Sequence, residues 1–126
     1  MKVILSMMIA GGVGALLRYG CIRAFAFCGG AFPWGTCVVN LLGAFIAGFA
    51  FMLCRMKWPD ETFWVPVFFV GLLGAFTTFS TFALESVRLG MEGQLMKALG
   101  NVLLKNVGGL LAVYAGIFTA KGLFHP

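Results

Sequence analysis

The sequence predicts an all-α membrane protein with four transmembrane helices, the third of them broken near its middle. Three observations carry that expectation. Hydrophobic residues make up 61% of the 126-residue chain and charged residues only 10%, against about half and about a quarter in a soluble domain. The apolar residues fall into four runs, each near the ~20 residues that a membrane-crossing helix needs. Inside the third run, Gly71-x-x-Gly74 precedes Thr77-Thr78. Glycine costs a helix interior about 1 kcal/mol relative to Ala, and threonine hydroxyls compete for the i−4 carbonyls. A Gly-rich but unbroken helix, its threonines bonded to their own turn, is the alternative that these residues leave open. Four spans and short loops use up the chain, so residues 1–126 form a single membrane domain.

The elements follow in order. The first span covers about 3–27 and carries Arg18 inside it and Arg23 near its end. Its start resembles a signal peptide, but no A-x-A-like site follows and more apolar segments come after it, so it is assigned as a span. Gly29-Gly30-Ala31-Phe32-Pro33 makes a turn. The second span, about 34–54, has no charge, and the segment Arg55 to Glu61 is a polar loop containing Pro59. The third span covers about 64–88, Gly90 to Gly93 form a turn, and the fourth covers about 95–123. Trp34, Trp58 and Trp64 stand at span ends, where indole rings favour the headgroup level.

Charge placement bears on orientation. Four spans put Lys2, Arg55, Lys57 and Lys121 on one side and Arg23, Arg88 and Lys97 on the other. Lys/Arg excess in short loops sets topology, and here there is almost none. The chain is therefore expected to insert both ways round, which allows an antiparallel, dual-topology homodimer with its two-fold axis in the membrane plane. The 18 glycines predict close helix packing in lipid. Gly11 with Ala15, Gly43-Ala44 with Ala47-Gly48, and Gly116 with Ala120 are the small-residue pairs.

Several function classes are excluded. No basic run of the nucleic-acid-binding kind is present. Cys21, Cys28, Cys37 and Cys54 match no zinc or haem spacing and are expected as small packing residues. The only His is His125, and no span pairs a nucleophile with a base, so an enzyme is not expected.

What remains is a short set of polar groups inside spans, where each is costly and a functional candidate. Arg18 and Glu85 are the strongest charges; they neutralise each other, or Arg18 reaches the carbonyls of a broken helix. Lys105 lies deep in the fourth span, either lining a wet vestibule or extending its stem toward the interface. Phe79 and Phe82 share a helix face, extended by Phe76. In a chain with 14 Phe such rings are ordinarily packing, yet a phenyl ring has a positive edge that an anion can approach. The hydroxyls of Thr78, Ser80 and Thr81 and the amide of Asn40 supply neutral donors. Neutral donors with ring edges suit a small hydrated anion, which a fixed full charge would hold too tightly to release. Asn101, Asn106, Thr36 and Tyr114 complete the polar set.

At these residues the chain resembles the Fluc (CrcB) family of fluoride channels. The matching elements are Gly11-Gly12-x-Gly14-Ala-x-x-Arg18-Tyr19, Gly35-Thr36-x-Val38-Val39-Asn40-Leu41 and Gly71-x-x-Gly74-x-x-Thr77-Thr78-Phe79-Ser80-Thr81-Phe82-x-x-Glu85, which span most of the chain. The resemblance implies a small four-span protein of the bacterial cell membrane that forms an antiparallel dual-topology homodimer. It implies two pores that conduct fluoride passively, exporting it from the cytoplasm and giving resistance. It also implies a structural Na⁺ at the dimer centre, held by backbone carbonyls of the broken third helix, here Gly74 and Thr77. By the same resemblance Phe79, Phe82, Asn40, Ser80 and Thr81 line the fluoride pathway. Departures fall on the fourth span, where Gly109 stands near a serine of some relatives and Lys105 is not a general family residue. Two rivals bear weighing. A small multidrug-type dual-topology transporter would need an acid in the first span, which has Arg18 instead. A non-transporting scaffold subunit would explain the glycines but not the Phe–hydroxyl run.

Overall fold

A computed structural model describes residues 1–57 and 61–124; Trp58 and His125 lie outside the described residues. Every regular element among the described residues is helical. Helix α1 is Lys2–Ala24, followed by a 3₁₀ turn at Ala26–Cys28; α2 is Trp34–Lys57. The third span is assembled from pieces: α3 at Glu61–Val65, a π-helical stretch at Pro66–Leu73, α4 at Gly74–Phe76 and α5 at Phe79–Met91. Helix α6, Leu95–Phe124, closes the chain. Four helical segments are long and apolar enough to cross a membrane: Lys2–Cys28, Trp34–Lys57, Glu61–Met91 and Leu95–Phe124.

The expected turn at Gly90 to Gly93 is shorter than that. Helix α5 runs on through Met91, capped at Glu92, whose N–H donates to Arg88 O. Only Gly93 needs the left-handed backbone, at φ 75°.

Glycines set how closely the spans approach. Helices α2 and α6 form the main pair. A Cβ on Gly48 would run into the carbonyl of Val113, and one on Gly116 into the carbonyl of Phe45. The two backbones thus lie against each other, which in lipid substitutes van der Waals contact for a missing hydrophobic drive. Helix α1 crosses the π-helical stretch the same way: a Cβ on Gly14 would run into the Leu72 carbonyl, and one on Gly71 would come within 3.0 Å of Met7 O. On α1 the close contact belongs to Gly14 and not to Ala15, which is exposed. We predict that Gly48→Val forces α2 and α6 apart and lowers the thermal midpoint in detergent, at a cost of about 1–3 kcal/mol or more; an unchanged midpoint would contradict this packing.

The core is thin: Val39, Leu73 and Phe76, with Cys21, Ile46 and Phe68 partly buried against it. Most large apolar side chains on α1 and α6 face outward instead, as spans bathed in lipid require. All four cysteines are free, with Cys37 and Cys54 buried.

Candidate functional site

The third span is interrupted between α4 and α5, and the local chemistry explains why. Pro66 has no N–H to give the preceding turn, and the helix widens from there: Gly74 N–H reaches back to Phe69 O at the i−5 spacing. At Thr77 both the N–H and the hydroxyl end on Leu73 O, each at 2.9 Å. Thr77 and Thr78 then turn extended, with ψ of 161° and 121°. Thr78 restarts the helix as its N-cap, its hydroxyl oxygen accepting from Thr81 N–H at 3.3 Å.

An extended residue at membrane depth has backbone groups that water cannot reach. Asn40, on α2, satisfies both at once. Its Oδ1 accepts from Thr78 N–H at 3.0 Å, and its Nδ2 donates to Thr78 O at 3.1 Å. The side-chain amide thus pairs with the break as a neighbouring strand would. Gly43, one turn along α2, leaves room for this: a Cβ there would collide with the Thr77 methyl.

Diverting these amides leaves acceptors open. In a continuous helix Thr78 N–H would bond Gly74 O and Thr81 N–H would bond Thr77 O. Here the first goes to Asn40 and the second to Thr78 Oγ1. Gly74 and Thr77, the expected cation-binding pair, are therefore residues whose carbonyls lose their helical donors, and Gly74 is exposed.

Beside the break lies an open groove of about 400 Å³, lined by Asn40, Thr78, Phe79, Phe82, Lys105 and Asn106 among others. The Phe79 and Phe82 rings meet edge to face, centroids 5.4 Å apart at 64°. Phe82 is buried, whereas Phe79 is 76% exposed and projects from the chain. Thr78 Oγ1 donates to Thr81 Oγ1 at 3.1 Å and lies 3.4 Å from the exposed Ser80 Oγ. These hydroxyls gather at the N-terminus of α5, where the first amides have no acceptor in the helix and the dipole favours negative charge. Of the expected path residues, Asn40, Phe79 and Phe82 line the groove, whereas Ser80 and Thr81 reach it only through the Thr78 hydroxyl, and Thr81 lines a separate cavity with Glu85 and Arg88.

The charges pair differently from the sequence expectation. Glu85 does not meet Arg18. Its Oε2 accepts from Lys105 Nζ at 3.0 Å and from Thr36 Oγ1 at 2.7 Å. Lys105 also donates to Thr36 Oγ1 at 2.7 Å, so three side chains from three helices close a buried triangle. Arg18 is half-buried and makes no ion pair or hydrogen bond among the described residues. One turn below the triangle, Asn101 Nδ2 donates to Ser86 Oγ at 2.9 Å. Lys105 was the missed partner. Its signal was available: a lysine and a glutamate both deep in spans of one chain, each needing compensation.

The fold is thus that of a four-helix membrane protein whose interrupted third span brings neutral hydrogen-bond donors and two meeting phenyl rings together. Comparison with known proteins narrows this. Residues 5–117 match the family model described as CrcB-like protein, Camphor Resistance (CrcB), and the chain belongs to that family. A relative from Magnetococcus marinus is 43% identical over 114 residues, covering 90% of this chain and 93% of its own length. One from Legionella pneumophila (strain Lens) is 42% identical over 118 residues, covering 93% and 88%. One from Hydrogenovibrio crunogenus is 39% identical, covering 92% and 89%. Each is named a fluoride-specific ion channel, FluC.

Proposed function

We propose that the chain is a fluoride-selective passive channel of the bacterial inner membrane, exporting cytoplasmic fluoride and giving fluoride resistance. The observation that carries the proposal is near end-to-end likeness to chains of that name, 43% identical over 90% of this one. The groove agrees with it chemically. Hydroxyls at the α5 N-terminus and ring edges offer partial positive charge to a small anion, and the cation at the groove floor is already paired. Such a path replaces part of the hydration shell without a bare charge to trap the ion. The channel is an antiparallel homodimer with two pores. The exposed residues Phe79, Ser80 and Gly74 support a surface there for a second copy.

A Na⁺ ion at the dimer centre is part of the proposal. The site fits it: Gly74 O and Thr77 O have lost their helical donors, and uncharged backbone oxygens suit a hard monovalent cation. Its contribution would be to neutralise facing carbonyls. The thermal midpoint of the purified protein is expected to be higher in Na⁺ than in a large organic cation; equal midpoints would remove the ion.

The test of function is anion efflux from liposomes holding the purified protein. Fluoride loss without matching chloride loss is expected. Indifference to fluoride, or loss that depends on a proton gradient, would overturn the channel.

A further inference from the structure

Lys105 does more than neutralise Glu85. Its side chain is 3% exposed, and its ammonium group lies over the ring of Phe82 at 5.5 Å from the centroid. Phe82 is itself 8% exposed and also meets the Phe79 ring. Lys105 and Phe82 both line the groove. Their partners Thr36 and Glu85 line a second cavity of about 280 Å³, together with Arg88. The triangle of Lys105, Thr36 and Glu85 therefore stands between two spaces, with its cation turned toward the ring and its carboxylate toward Arg88's side.

A cation over a ring face is attracted by the ring quadrupole. It occupies the electron-rich face, fixes the ring's plane and draws density from the rim, so the C–H edge becomes a better partner for an anion. An uncompensated ammonium in a low-dielectric groove would instead capture the anion directly. Glu85 Oε2 at 3.0 Å prevents that. We propose that Lys105 is a specificity-determining positioning residue of the anion path: it holds Phe82 by its face, edge toward the groove, while Glu85 and Thr36 cancel enough of its charge for the anion to leave. This rests on the fluoride-channel reading.

The test is fluoride efflux against fluoride concentration, with and without chloride, for wild type and three variants in identical vesicles. Glu85→Gln leaves the cation uncompensated: the half-saturating fluoride concentration falls about tenfold and maximal flux falls with it. Lys105→Met/Glu85→Gln removes both charges and the grip on the ring: half-saturation rises about tenfold and chloride discrimination narrows. Thr36→Val keeps both charges and nearly the same volume, and it moves half-saturation in the direction of Glu85→Gln by a smaller factor, because the ammonium has lost one acceptor. A pair that only joins helices would lower maximal flux and thermal midpoint together and leave half-saturation and chloride discrimination at wild-type values; that result overturns the proposal. Should the charge variants fail to assemble, an unmoved half-saturation in Thr36→Val overturns it equally. Absent efflux from wild-type vesicles would defeat the channel reading itself, whereas normal wild-type efflux with unmoved variants removes only Lys105 from the path.

Discussion

Phe82→Ile is expected to cut fluoride efflux about a hundredfold while the protein still assembles. Phe82 lines the groove and lies under the Lys105 ammonium; in the proposed path its edge serves the anion and its face the cation. Isoleucine fills much of the same volume in this buried position but has neither edge nor face. Losing an edge contact of about 1 kcal/mol and a desolvated cation–π contact of about 2 kcal/mol amounts to about two factors of ten at 1.4 kcal/mol each. Phe79→Ile forfeits only the edge of an exposed ring, for about a tenfold loss. Efflux and thermal midpoint measured together separate a defect in the path from a defect in folding. Normal efflux in both variants would remove the rings from conduction.

The second large effect lies at Asn40. Asn40→Leu strands the N–H and the carbonyl of Thr78 in the membrane interior. Each buried, unpaired backbone group costs about 1–3 kcal/mol, so about 2–6 kcal/mol is at stake, enough to deplete folded protein. Asn40→Asp divides the effect. It keeps an acceptor for Thr78 N–H, loses the donor to Thr78 O, and puts a carboxylate on the groove wall. Stability between wild type and Asn40→Leu is expected, with fluoride efflux abolished by like-charge repulsion. Purification yield, thermal midpoint and liposome efflux check the pair; an Asn40→Leu protein as stable as wild type would show that the break is held by something else.

These two sites illustrate what the sequence could and could not reveal. The four spans were legible because lipid imposes length and composition directly. The weak point in the third span was legible from Gly71, Gly74 and Thr77. Its exact form was not, because an extended Thr78 depends on an amide 38 positions away. No local pattern says where that amide points. The hydroxyls around Thr78 and the two rings could be placed together, since spacing on one helix fixes neighbours. Partnership between Lys105 and Glu85 is a different matter. It requires knowing that α5 and α6 present those residues to the same interior, while Arg18 on α1 faces elsewhere. The same limit applies on α1, where the crossing of the third span uses Gly14, a position between the expected Gly11 and Ala15. One-residue steps rotate a helical position by about 100°, and only the neighbour's location decides which of two adjacent small residues is used.

The stitched break also carries a timetable. Its backbone is completed by a side chain of the preceding span, so the interruption is a tertiary object and not a property of the third span alone. By itself in the membrane, that span gains by pairing the Thr78 N–H and carbonyl within its own helix. It opens only when α2 docks and Asn40 offers a better pairing. The local weak points at Pro66 and Thr77 loosen the span, and the fully extended Thr78 forms once α2 has docked and Asn40 pairs with it.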